Sequence, residues 1–193
     1  MKLLNVTLLS VCLLQLSFSQ TLKYADGSSQ NMSNVFVNVN SNESSTIKGS
    51  KYLNEDFVST KISSMPNQIF GVRYNIYDDQ MEFQGAENTV YSLNKNDDSI
   101  KITFTAANES YNIFNYIDES GRQKKGYFIK LNNEGENLIL KKHRVVFIEE
   151  QPSKTGYDEP KPAIYKNVKD RYYIKLANNE AVLIPTKKKK LAK

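Results

Sequence analysis

The sequence predicts an all-β domain: an antiparallel meander of about ten strands that forms an open or closed barrel or a sandwich. Short runs rich in Val, Ile, Tyr, Phe and Thr recur from Tyr52 onward, and clusters of Asn, Asp, Gly, Ser and Lys separate them. Several runs alternate in polarity. Ile100, Ile102 and Phe104 point to one face, and the polar residues between them point to the other, as in a half-buried strand. No stretch combines a helical period with capping residues.

The predicted strands follow one another at the spacing of consecutive hairpins. They are Phe57–Ile62, Ile69–Tyr77, Gln80–Phe83, Thr89–Leu93, Ser99–Ala106, Tyr111–Ile117, Gly126–Leu131, Asn137–Lys141, Arg144–Glu149, Arg171–Leu176 and Ala181–Ile184. Asp78-Asp79 predicts a tight turn between two of them. Pro152, Pro160 and Pro162 predict an extended loop rather than a strand.

Residues 1–19 are typical of a cleavable secretory signal peptide. Lys2 precedes an apolar run, and the small residues Ser17 and Ser19 stand at the spacing that signal peptidase reads. The run falls short of the roughly 20 apolar residues that span a bilayer, so we expect export and no transmembrane segment after cleavage. Cys12, the only cysteine, leaves with the signal, so we expect no disulfide and no cysteine-ligated zinc in the mature chain.

The mature chain divides into three parts by composition. Residues 20–50 are rich in Ser, Asn and Gly and predict a flexible N-terminal arm, in which the weak alternation of Val35, Val37 and Val39 can supply one strand. Residues 51–186 predict a single β-rich domain, and residues 187–193 form a basic C-terminal tail.

The basic charge lies almost wholly in the tail. Loss of Lys2 with the signal lowers the net charge from +5 to +4, and the tail carries five lysines, which leaves −1 for residues 20–186. Nucleic-acid-binding domains carry a basic face on their folded part, so nucleic acid is not the expected partner. The run Lys187, Lys188, Lys189 and Lys190 either solubilises the chain end or binds an anionic surface.

No catalytic, metal-binding or cofactor constellation is predicted. The chain has no P-loop, no G-x-G-x-x-G and no G-x-S-x-G. His143, the only histidine, falls between two predicted strands and is expected to be an exposed turn residue. Asp78, Asp79 and Glu82 lack the acidic spacing of a calcium loop and are expected to be solvated turn residues. Binding candidates on the folded domain are Arg73, Asn75 and Tyr77, which share one strand face.

Several segments carry a resemblance to a known group of proteins. They are Gly49-Ser-Lys-Tyr-Leu-Asn-Glu-Asp-Phe57, Val72-Arg-Tyr-Asn-Ile-Tyr-Asp-Asp-Gln-Met-Glu-Phe83, Gly126-Tyr-Phe128, Lys154-Thr-Gly-Tyr-Asp158 and Lys169-Asp-Arg-Tyr-Tyr173. In their order and spacing, the chain resembles an uncharacterised family of secreted β-rich proteins from flavobacteria and other Bacteroidota. Gln80 departs from that pattern, in which an acidic residue is common. The resemblance implies a protein of the periplasm or envelope of a Gram-negative bacterium, and it implies no activity or cofactor.

Three functions remain open from the sequence. The first is a non-enzymatic envelope or secreted protein that binds or supports an envelope protein or an anionic surface. The second is a small β-barrel that holds an apolar ligand, which requires an apolar cavity of several hundred cubic ångströms. The third is a hydrolase that uses two carboxylates, which requires convergent acidic side chains in a cleft.

Overall fold

The computed structural model describes residues 36–38, 47–85, 89–132, 137–153, 157, 159–177 and 179–185. The predicted signal peptide and the lysine run at 187–190 lie outside the described residues. The described part of the chain contains strands and no helix, which confirms the predicted all-β class. It therefore contains no helix long and apolar enough to cross a membrane.

The described residues form eleven strands, most of them close to their predicted positions. They are β1 (Phe36–Asn38), β2 (Val58–Ile62), β3 (Ile69–Asn75), β4 (Gln80–Gln84), β5 (Val90–Leu93), β6 (Lys101–Phe104), β7 (Glu109–Ile117), β8 (Gln123–Lys130), β9 (Asn137–Ile148), β10 (Ile164–Leu176) and β11 (Val182–Leu183).

The strands form one antiparallel sheet that curls into an open half-barrel, within the predicted class. The spatial order is β1-β5-β4-β3-β2-β6-β7-β8-β9-β10-β11. Two meanders, β2 to β5 and β6 to β11, are therefore joined where β6 pairs with β2. The link between β5 and β6 contacts both meanders, because Lys95 pairs with Asp79 after β3 and the carbonyl oxygen of Asn96 accepts a hydrogen bond from Lys125 in β8.

The main core lies on one face of the sheet. In the β3–β4 hairpin, Val72 pairs with Phe83 and Tyr74 pairs with Met81, and all four side chains are at most 1% exposed. Since side chains alternate along a strand, the residues between them face the other way. The remaining buried side chains of this core are Ile62, Phe70, Ile76, Leu93, Ile100, Ile102, Phe104, Tyr111, Ile113 and Tyr127.

A second, smaller core covers the opposite face of β7 to β10. Along β8, Tyr127 belongs to the main core and the next residue, Phe128, belongs to the second. This second core also buries Tyr116, Leu140, Tyr173 and Ala181, and its aromatic rings pack edge to face. It forms the floor beneath the cleft described below.

The extent of strand β9 differs from the prediction. The sequence divides residues 137–149 into two strands with a bend at His143, but the structure has a single strand through Ile148. The consecutive basic residues Lys142, His143 and Arg144 resemble a solvated turn in sequence. Lys142 and His143 nevertheless have carboxylate partners from other segments, Asp79 and Asp170, that stabilise them within a strand. Strand β10 likewise begins at Ile164, upstream of the predicted start.

Candidate functional site

A cleft of about 630 Å³ opens over the second core. Its floor is the face of β7 to β10 that carries the second core, where Tyr116 and Tyr173 lie. Its walls are the β3–β4 turn, which includes Tyr77 to Asp79, and the β7–β8 turn at residues 118–122. Segments distant in sequence therefore meet at one concave surface.

The cleft is lined mainly by charged side chains, with cations in excess. Seven cationic side chains face four carboxylates, so the lining carries a net charge of +3 with His143 neutral. The cations are Lys95, Arg122, Lys124, Lys125, Lys142, Arg144 and Arg171. The carboxylates are Asp78, Asp79, Asp118 and Glu119.

Asp79 organises the inner end of the cleft. Its carboxylate accepts hydrogen bonds from the Tyr74 hydroxyl at 2.6 Å, from Lys142 Nζ at 2.7 Å and from Lys95 Nζ at 3.1 Å. The backbone of Asp79 has φ +54°, a left-handed conformation that Asp adopts more readily than most residues. The side chain is only 17% exposed, so the expectation of a solvated turn residue is wrong for Asp79.

The charges of this cluster hold one another in place. Burial alone would raise the pKa of the Asp79 carboxyl, but Lys142 and Lys95 outweigh that effect and hold the pKa below its ordinary value. Burial lowers the pKa of the Lys142 ammonium, and Asp79 offsets part of that effect. Burial also raises the pKa of Tyr74 well above its ordinary value, so its hydroxyl remains the donor to Asp79.

Gly126 makes room for this cluster. A Cβ atom on Gly126 would lie 2.8 Å from both Asp79 Oδ2 and Lys142 Nζ, and 2.9 Å from the Tyr116 ring. Lys142 Nζ also lies 4.8 Å from the ring centroid of Phe128, close enough for a cation–π contact. The absence of a side chain at position 126 thus lets a charged pair lie directly against strand β8.

The β7–β8 turn supplies the outer wall. Asp118 accepts hydrogen bonds from the backbone nitrogens of Ser120 and Arg122 and pairs with Lys124 at 2.8 Å. The bond from Lys124, followed by that from Ser120, lowers the pKa of Asp118. Glu119 reaches across the cleft, where its Oε1 forms ion pairs with Arg171 and with Arg144, the latter at 3.9 Å.

Tyr77 gives the cleft an aromatic surface. Its side chain is 45% exposed, and its ring packs against Tyr165 at 5.2 Å and Phe147 at 6.3 Å between centroids. Phe147 in β9 and Tyr165 in β10 are opposite each other in the antiparallel pairing of these strands. Tyr77 is the one predicted binding residue of the β3 segment that lines this cleft.

Arg73 and Asn75, the other candidates from this strand, lie in a buried polar network instead. Arg73 forms an ion pair with Glu82 at 2.8 Å and stacks on Tyr52, with its guanidinium carbon 3.9 Å from the ring centroid. The Asn75 amide donates to both Asp78 and Glu82. Glu82 is only 2% exposed, so it is not the solvated residue expected from the sequence. No group of three or more metal-ligating side chains occurs among the described residues.

His143 is also not the exposed turn residue expected from the sequence. Its side chain is 14% exposed, its Nδ1 lies 3.0 Å from Asp170 Oδ1, and its ring contacts Tyr111. Its buried Nε2 has no hydrogen-bond partner. Asp170 stands at the irregularity between Val168 and Arg171, where the β9–β10 register shifts. The pair therefore depends on a strand pairing that sequence spacing does not reveal.

Sequence reasoning missed most of the cleft. Nothing in the sequence marks Lys95, Lys142 and Arg171 as parts of one site, because the carboxylate partner of each belongs to another segment. The sequence offers one signal: Asp79 and Gly126 both lie in segments from which a family resemblance is expected. Compared with models of known protein families, with curated proteins and with solved structures, the chain shows no significant match.

Proposed function

We propose that this protein is a non-enzymatic, exported binding module that holds an anionic ligand of the cell envelope in the cationic cleft. The observation that carries the proposal is the concentration of positive charge. The cleft lining has a net charge of +3, whereas residues 20–186 as a whole have −1. A concave site with an excess of one sign of charge attracts ligands of the opposite charge.

The cations differ in how free they are to meet a ligand. Lys142 and Lys95 are 11% and 18% exposed and are bound to Asp79, so they set the potential at the inner end. Arg122, Lys124 and Lys125 are 71%, 46% and 35% exposed. Because these three side chains are more exposed than Lys142 and Lys95, solvent screens their ion pairs more strongly. The outer wall is thus suited to contact the ligand directly.

Two of the four carboxylates of the cleft, Asp79 and Asp118, favour binding over hydrolysis. A hydrolase of the two-carboxylate type needs one acid with a raised pKa to protonate the leaving group. The pKa values of Asp79 and Asp118 are lowered by lysine and hydrogen-bond donors. Both groups therefore remain ionised near neutral pH and act as anchors for the cations.

The interior of the half-barrel favours an anionic ligand over an apolar one. Large side chains with less than 2% exposure fill it, among them Tyr74, Tyr111, Tyr127, Phe70 and Phe83. The cleft over the second core is lined largely by charged groups. A ligand that enters this cleft has to accept hydrogen bonds from ammonium and guanidinium groups. Carboxylate, sulfate and phosphate groups accept such bonds.

A polyanion-binding assay tests the proposal. Fluorescein-labelled sulfated dextran is titrated with the exported protein, and unsulfated dextran of the same length is the neutral control. We expect binding only to the sulfated polymer, and an affinity reduced about tenfold or more in an Arg122→Gln/Lys125→Gln variant. Lys61→Gln/Lys101→Gln, the same charge change at exposed lysines of β2 and β6, should have little effect.

The lysine tail needs its own variant, because it is the competing anion-binding element from the sequence. Replacing Lys187 to Lys190 with glutamine should leave most of the affinity intact. Loss of binding in the tail variant together with full binding in the Arg122/Lys125 variant would place anion binding in the tail and contradict the proposal.

A further inference from the structure

Two arginines in the cleft already bind a carboxylate from the protein itself. Arg144 in β9 and Arg171 in β10 both pair with Oε1 of Glu119 in the β7–β8 turn. The arginine side chains are only 30% and 20% exposed, whereas that of Glu119 is 56% exposed. The cations are therefore fixed in the floor of the cleft, and the anion is the exposed and replaceable member.

The chemistry of this pair indicates which ligand group can replace Glu119. A guanidinium is a planar fork of N–H donors whose shape matches a carboxylate. Because the Glu119 side chain is more than half exposed, solvent screens its ion pairs, and an incoming carboxylate can exchange with it at small cost. The other cations of the same wall can meet further negative charges along a ligand.

The aromatic wall adds a second requirement. Tyr77 lines the same cleft with nearly half of its side chain exposed, and its ring is supported from behind by Phe147 and Tyr165. A rigid aromatic face of this kind packs against the C–H face of a sugar ring. A ligand that uses both features has an apolar ring face and a carboxylate.

Resting on the proposed function, we propose that the ligand is a uronic-acid oligosaccharide. In the free protein, the Glu119 carboxylate occupies the position that a uronate carboxylate takes in the complex. On binding, a uronate carboxylate displaces Glu119 from Arg144 and Arg171, and a sugar ring stacks on Tyr77. Removal of the Glu119 charge then strengthens ligand binding, since the ligand no longer competes with a side chain of the protein. A merely structural role for the ion pair predicts no such gain.

Calorimetric titration of the exported protein with an oligogalacturonate of defined length tests this. We expect Glu119→Gln to raise the affinity about 2- to 5-fold, as the loss of a weak competing ion pair predicts. The control is Glu149→Gln, which removes the same charge from an exposed side chain that does not line the cleft. It should change the affinity less. An equal gain in both variants would assign the effect to net charge and overturn the role of Glu119.

Two more variants separate sugar recognition from general charge. Tyr77→Ala should weaken oligogalacturonate binding but leave sulfated dextran binding nearly unchanged, and Arg171→Gln should weaken oligogalacturonate binding. Sulfated dextran binding without any oligogalacturonate binding would overturn the uronate proposal and leave the anionic cleft standing. Failure of both ligands to bind would contradict both proposals.

Discussion

At the scale of single residues, Asp79 shows where a sequence stops being informative. In sequence, Asp78-Asp79 predicts a tight turn, and the chain does turn there, between β3 and β4. The partners of the Asp79 carboxylate, however, are 5, 16, 48 and 63 positions away. Three of those separations depend on how the sheet curls, so no local pattern could identify Asp79 as the centre of a charged cluster.

Loss of the Asp79 charge should destabilise the fold in a pH-dependent way. Asp79→Asn leaves Lys142 and Lys95 largely buried without their counter-charge, so we expect a loss of about 2–3 kcal/mol in the free energy of unfolding at pH 7. Because the pKa of Asp79 is lowered in the folded state, its stabilising effect is present above its unfolded pKa of about 3.9 and lost as the pH falls further.

Urea unfolding of wild type and Asp79→Asn between pH 7 and pH 3 gives the measurement. The difference between the two proteins should be constant near neutral pH and should shrink in acid. A difference that is small at pH 7, or that grows in acid, would show that the Asp79 charge is not what stabilises this cluster.

Gly126 should be sensitive to even a methyl group. In Gly126→Ala, the new Cβ pushes into the Asp79–Lys142 pair, and we expect a loss of about 1–3 kcal/mol in unfolding free energy from this overpacking. The same substitution in an Asp79→Ala background removes one of the colliding groups and should cost less. Equal costs in both backgrounds would assign the effect to strand propensity instead.

At the scale of elements, strict alternation predicted strands well and consecutive charges predicted them poorly. The residues Ile100, Ile102 and Phe104 were predicted to share a buried face, and all three lie in the main core. The sequence predicts two strands in place of β9, because Lys142, His143 and Arg144 resemble a turn. The partners that stabilise these residues in a strand belong to other segments. The prediction is wrong because a local sequence pattern does not contain these tertiary contacts.

The β3–β4 hairpin also separates a structural role from a binding role. Arg73→Ala leaves Glu82 buried without its guanidinium partner, so we expect a loss of about 3 kcal/mol in unfolding free energy. The affinity of the folded variant for sulfated dextran should stay within about twofold of wild type, because Arg73 does not line the cleft. Stable protein with weakened binding would restore Arg73 as a ligand contact.

At the scale of the whole molecule, the sequence predicts the class of fold and not the site. Composition and alternation are properties of short segments, and they are sufficient to predict the all-β class. The cleft arises from the curl of that sheet, which brings the β3–β4 turn over β8 and β9. Its charge is invisible in the overall composition, because acidic residues elsewhere in residues 20–186 balance it.

An electrostatic cleft predicts strong dependence of binding on salt. The Debye length falls from about 10 Å at 0.1 M salt to about 3 Å at 1 M. We therefore expect the affinity for sulfated dextran to fall about tenfold or more over that range, because the cations of the outer wall are exposed. Fluorescence titrations at several salt concentrations measure the slope, and an affinity independent of salt would exclude a binding mode based on charge.

Site-resolved NMR titration of the ¹⁵N-labelled protein with sulfated dextran oligosaccharides tests the central claim most directly. An anion held in the cleft predicts shifted amide signals at 76–79, 116–125, 142–145 and 171–173, the segments that line it. Signals from the β2 and β6 strands should stay in place. Shifts confined to residues 187–193, or spread evenly over the surface, would contradict the account, because the anion would then bind outside the cleft.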